Sequence, residues 1–97
     1  PIVNYCLGTG KWLFRPLMTK GILDLQMQRA IVMTFIYEFN EMLIEVEKMF
    51  DNVYHIDCRS IPNCQDDWYD ELHLKSHKFK DVANLFKDLI DEKINKL

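Results

Sequence analysis

The chain has 97 residues, room for one small domain or a piece of one, with 48% apolar residues and a formal charge of −3. That apolar share excludes a disordered segment, and the interleaving of Lys and Arg with Asp and Glu excludes the basic footprint of a nucleic-acid or anionic-membrane binder. The longest apolar runs, such as Ala30 to Met33, fall far short of the roughly 20 residues that a membrane span requires.

Residues 2–7, Ile-Val-Asn-Tyr-Cys-Leu, are rich in β-branched and aromatic types and run into Gly8-Thr-Gly10, which predicts a short strand ended by a loop. Lys11 to Gly21 holds Trp12, Phe14, Pro16 and Gly21 without a clean period. It reads as an ordered excursion with one helical turn. From about Asp24 to Phe50 the pattern is helical. Ile31, Phe35, Phe39, Met42, Val46 and Met49 recur at spacings of three and four, and Val32, Ile36, Leu43 and Phe50 widen the stripe. Asp24 suits the N-cap and Asp51-Asn52 the turn that ends the helix.

Val53-Tyr-His-Ile-Asp57 is nearly continuous in bulky residues, as expected of a strand covered on both faces. A loop follows to Lys75, and Ser76 caps a last helix whose apolar face is Phe79, Val82, Ala83, Phe86, Ile90, Ile94 and Leu97. The order predicts a βαβα unit with parallel strands and a right-handed crossover. Two parallel strands make a poor sheet alone, so further strands are expected from elsewhere. The N-terminus lacks the marks of a signal peptide, and a chain opening on Pro1 reads as a cut from something longer.

The cysteines are three, Cys6, Cys58 and Cys64, with no CxxC pair. That argues against a disulfide framework and a zinc ribbon, and predicts small packed thiols, with one bridge such as Cys58–Cys64 left open.

In α/β sheets, ligands gather beyond the carboxyl ends of strands, which is where the loop after residue 57 falls. It carries Asp66, Asp67, Trp68, Tyr69, Asp70, Glu71, His73 and then His77. An Asp three residues before a His can fold back to accept the imidazole Nδ1–H, which fixes the tautomer and leaves Nε2 as a base. Spacing alone does not separate such a dyad from a solvated acidic loop. His73 and His77 at i, i+4, with Asp70 or Cys64, could also hold a metal, although His-Glu-x-x-His is not met. Trp12 and Trp68 could wall a pocket or cap a core. Asp57 and Arg59 are spaced to form an ion pair.

Read in order, the chain offers Trp12-Leu13, Pro16, Lys20-Gly-Ile22, Gln28-Arg29, Phe39-Asn-Glu-Met-Leu43, Asn52-Val-Tyr-His-Ile-Asp57, Arg59 and Asp67-Trp-Tyr-Asp-Glu-Leu-His73. This series resembles the C-terminal part of the SGNH (GDSL-type) hydrolases, which are serine esterases and lipases. The resemblance implies an α/β fold, a βαβα fragment of a three-layer αβα (flavodoxin-like) sandwich. Residues 1–97 would then be the C-terminal fragment of a single domain whose N-terminal part is absent.

It also implies a Ser-His-Asp triad with His73 as general base and Asp70 as the orienting acid, Asp67 being the alternative. Leu74 stands where the family often has Pro, and Lys78 where a Gly is common. The family's Gly-Asp-Ser nucleophile block and its oxyanion Gly and Asn have no counterpart here. Ser60 lacks a glycine elbow, and Ser76 reads as a cap. The expectation is a piece that is inactive alone. Its partners would be the missing N-terminal part of the domain and, in the complete enzyme, an ester substrate, with no cofactor or metal, no nucleic acid and no transmembrane segment. The alternative is a non-catalytic α/β interaction module.

Overall fold

The structure, a computed structural model, describes residues 10–96; the strand expected at residues 2–7, with Cys6, lies outside them. Among the described residues the helices are α1 (Phe14–Thr19), α2 (Leu25–Met49) and α3 (Ser76–Asn95), with a 3-10 turn at Gln65–Asp67.

α1 ends in a Schellman motif. The Ile22 N–H donates to the Leu17 carbonyl and the Gly21 N–H to Met18, at 2.9 Å each. Gly21 takes the left-handed conformation that this closure requires, with φ 84°. α2 starts where the sequence predicts, because the Asp24 carboxylate accepts the Met27 N–H at 3.2 Å. It ends at Met49, ahead of the turn at Asp51-Asn52. α3 begins at Ser76 itself, one residue earlier than a Ser76 cap allows. Lys75 holds the cap position in an extended conformation without a side-chain bond, and its N–H is committed to the Asp67 carbonyl at 2.8 Å.

The α/β sandwich expected from the sequence is not formed. The described residues are mainly helical and contain no sheet; the one β pairing is an isolated antiparallel bridge between Trp68 and Leu74. The physical reason is that a helix closes its hydrogen bonds within its own segment, whereas a strand needs a neighbour. Residues 53–57 run without turn or bend, but no strand lies beside them.

The buried face of α2 also differs from the predicted stripe. Gln28, Val32 and Asn40 are its buried residues, while Phe35 and Met49 are each 70% exposed. Val32 packs against Leu13, Leu17, Ile36 and Trp68. Apolar side chains occur almost all round this helix, so periodicity does not choose a face. A polar tether helps choose it: Gln28 Nε2 donates to the Ile22 carbonyl at 2.7 Å.

α3 buries no residue fully. The radius of gyration, 16.0 Å, exceeds the about 12.5 Å expected of a compact chain this long, in keeping with the exposed apolar faces. No helix among the described residues is long and apolar enough to cross a membrane.

Candidate functional site

The loop between Cys58 and α3 folds back on itself. Trp68 bridges Leu74, and the Tyr69 N–H donates to the His73 carbonyl at 2.8 Å. Within the turn so formed, one oxygen of Asp70 accepts the Leu72 and His73 amides at 2.8 and 2.7 Å. This is the local side chain-to-backbone turn that Asp favours. The same carboxylate lies 2.9 and 3.0 Å from His73 Nδ1. An ionised carboxylate there makes Nδ1 the donor and leaves Nε2 with the lone pair.

His73 Nε2 makes no hydrogen bond among the described residues, and the side chain is 56% exposed. Burial pushes the Asp70 carboxyl up, but the Leu72 amide, the His73 ring and the His73 amide outweigh it and hold the group below the usual carboxylate range. The Asp70 carboxylate is therefore ionised at neutral pH and lies against His73 Nδ1.

Asp67, the other candidate acid, is committed elsewhere. It is 5% exposed. One oxygen accepts the Asn63 and Cys64 amides at 2.7 and 3.2 Å, and the other lies 2.9 Å from His77 Nε2. The Asn63 amide first, then His77, with Cys64 and the nearby Lys78 ammonium, overcome the cost of burial and lower the Asp67 carboxyl to about 2. The loop thus holds two separate carboxylate–imidazole pairs, Asp70–His73 and Asp67–His77. No group of three His, Cys, Asp or Glu side chains suited to a metal occurs among the described residues.

Glu71 is the residue whose role the motif reading missed. It is 1% exposed, and its carboxylate accepts the amides of Trp12, Leu13 and Phe14 at 3.0, 3.2 and 2.8 Å. These are donors that a helix leaves unpaired at its start. A Cβ at Gly10 would overlap the Glu71 carboxylate. The turn bearing His73 is therefore stapled to α1 through the residue next to Asp70. A glycine just ahead of a helix, with a distant acid in need of a partner, was the available signal.

Trp68, together with Leu72 and Leu74 on either side of His73, lines a cleft of about 580 Å³ between α2, residues 53–59 and α3. His73 itself is not among the lining residues, and neither is Trp12. Trp12 is 49% exposed, with the Lys11 ammonium 4.9 Å from its ring centre. Asp57 and Arg59 form the anticipated ion pair, Nη2 to Oδ2 at 2.6 Å, and the guanidinium holds the Asp57 carboxyl at about 2. Cys58 and Cys64 are free thiols. Neither Ser60 nor Ser76 hydrogen-bonds His73.

Comparison with known proteins finds no match to a family model, to a curated protein or to a solved structure.

Proposed function

We propose that the chain supplies the histidine base and its orienting aspartate to a serine ester hydrolase of the SGNH type, the nucleophile lying outside the described residues. The observation that carries this reading is the bidentate approach of the Asp70 carboxylate to His73 Nδ1, at 2.9 and 3.0 Å, with Nε2 left open.

In such a site a serine hydroxyl gives its proton to His73 Nε2 as its oxygen attacks the acyl carbon. Asp70 holds the imidazole in the required tautomer and stabilises the imidazolium that forms. The imidazolium then returns the proton to the departing alcohol. Water repeats the cycle on the acyl-serine, releasing the acid. The Glu71 staple and the two amide bonds to Asp70 hold the turn on which these groups sit.

The 97-residue chain alone is expected to show no sustained turnover of p-nitrophenyl acetate. Joined to a polypeptide carrying the Gly-Asp-Ser block and the oxyanion donors, it is expected to turn the ester over many times per chain. His73→Ala abolishes that turnover. Activity that survives His73→Ala, or sustained turnover by the 97 residues alone that His73→Ala abolishes, contradicts the reading.

A second reading, a non-catalytic interaction module, is favoured by the apolar surface of α2 and α3. Phe35 and Met49 are each 70% exposed and Ile94 is 58% exposed, more apolar surface than a small isolated domain usually presents.

A further inference from the structure

Of the two imidazoles paired with carboxylates, only His73 enters the proposed hydrolysis. The other, His77, stands in the first turn of α3 with its Nε2 2.9 Å from the Asp67 carboxylate. That carboxylate is buried, and an ionised carboxylate only accepts, so the ring donates through Nε2–H. The half-buried Lys78 ammonium adds a charge from the same turn, 3.9 Å from the second Asp67 oxygen and 3.4 Å from Asp81.

Asp67 is also the base of the turn that carries His73. Its carbonyl accepts the Lys75 N–H at 2.8 Å. Further in, Trp68 bridges Leu74, and the Tyr69 N–H reaches the His73 carbonyl at 2.8 Å. Lys75 in turn opens α3, since its carbonyl accepts the Lys78 and Phe79 amides at 3.0 and 3.1 Å. Asp67 therefore grips the start of α3 twice, through its main chain at Lys75 and through its side chain at His77. On the upstream side it holds the Asn63 and Cys64 amides.

A two-stranded turn as short as residues 68–74 is marginal when isolated. If its stem frays, the contact between Asp70 and His73 Nδ1 loosens with it, because both residues lie inside the turn. A site keeps its geometry when its side chains are held by further hydrogen bonds to a rigid element. Here that element is α3, 20 residues long.

We propose that His77 is a positioning residue for His73: through Asp67 it locks the stem of the turn to α3, which keeps Asp70 on Nδ1 and fixes the direction of Nε2. The hydrolytic reading gives this arrangement its use, since displacing a reacting group by about 1 Å costs on the order of 100-fold in rate.

The test is the ¹⁵N spectrum of the imidazoles in the 97-residue chain, at a pH where both rings are neutral. The unmodified chain is expected to hold the two rings in opposite tautomers, His73 with its proton on Nδ1 and His77 with its proton on Nε2. His77→Leu removes the donor to Asp67. The His73 Nδ1 and Nε2 shifts are then expected to move toward each other as the tautomers mix, in a chain that keeps its helical circular dichroism. His77→Gln places a carboxamide N–H near the position of Nε2, and is expected to restore the His73 shifts. In the joined, active protein His77→Leu is expected to lower kcat by about 10- to 100-fold with KM little altered.

A bond that adds stability alone lowers the urea midpoint of His77→Leu and leaves the His73 shifts of the folded chain unchanged. That result overturns the proposal. So does a His77→Gln spectrum that matches His77→Leu. An unmodified chain in which His77 carries its proton on Nδ1 overturns it as well, by a measurement that needs no variant. His73 shifts that move in His77→Leu and return in His77→Gln, without turnover in the joined protein, uphold the positioning and refute the hydrolytic reading alone.

Discussion

The carboxylate of Glu71 occupies the space that any side chain at Gly10 would need, and from there it reaches three successive amides at the start of α1. Two segments some 60 residues apart in sequence are joined through one buried acid, which links α1 to the turn carrying His73.

Glu71→Ala leaves three amides at the start of α1 without their acceptor, and is expected to destabilise the chain by about 1–3 kcal/mol. Gly10→Ala forces the same carboxylate out of place and is expected to fall in that range. Urea unfolding followed by circular dichroism measures both. A loss below about 0.5 kcal/mol, the level of an ordinary surface substitution, contradicts the staple.

Asp67 links stability to acid. Its carboxyl falls from an ordinary 3.8 to about 2 in the folded chain. A depressed folded value means that the unfolded chain binds the proton first as pH falls. The stabilisation is therefore complete above about pH 4 and is lost as pH drops through about 2. Asp67→Asn is expected to lower stability at pH 7 and to matter little near pH 2. Urea midpoints at the two values measure the difference, and an equal deficit at both refutes the linkage.

Asp70 fixes the tautomer of His73. In Asp70→Asn the amide replaces the anion, and the ¹⁵N shifts of His73 are expected to move from a single Nδ1–H form toward a mixture of tautomers. In a completed triad the same change is expected to cost on the order of 10⁴ in kcat. An imidazole spectrum unchanged by Asp70→Asn would show that the carboxylate does not orient the ring.

Asp24 caps α2 through the Met27 amide. Asp24→Ala is expected to cost about 1 kcal/mol, and Asp24→Ser to recover most of it. The urea midpoint is the readout, with helicity as a control. If Asp24→Ser is no better than Asp24→Ala, the side chain is not the cap.

Much of the helical frame was legible because its signals are local. Asp24 at the start of α2 and Asp51-Asn52 at its end act over three or four residues, so the string of side chains carries them. The buried face of α2 was not legible. The predicted stripe held Val32 and Ile36 together with Phe35, Phe39 and Met42, yet the chain buries Val32 beside the polar Gln28 and Asn40 and leaves Phe35, Phe39 and Met42 exposed. The sheet was misread for a related reason. Residues 53–57 have strand composition, but composition supplies no neighbour to bond with, and none lies beside them among the described residues.

The candidate site divides along the same line. By itself the sequence put the Asp70–His73 contact within reach, because three residues of turn can bring a carboxylate onto the following imidazole, but its spacing left Asp67 as an alternative acid and did not separate the dyad from a solvated acidic loop. Only the tertiary structure decided that Asp67 belongs to His77, ten positions away, and that Glu71 belongs to the start of α1. Those partners meet because the chain returns on itself. Burial makes the pairing obligatory, since a carboxylate removed from water must find donors wherever the fold presents them.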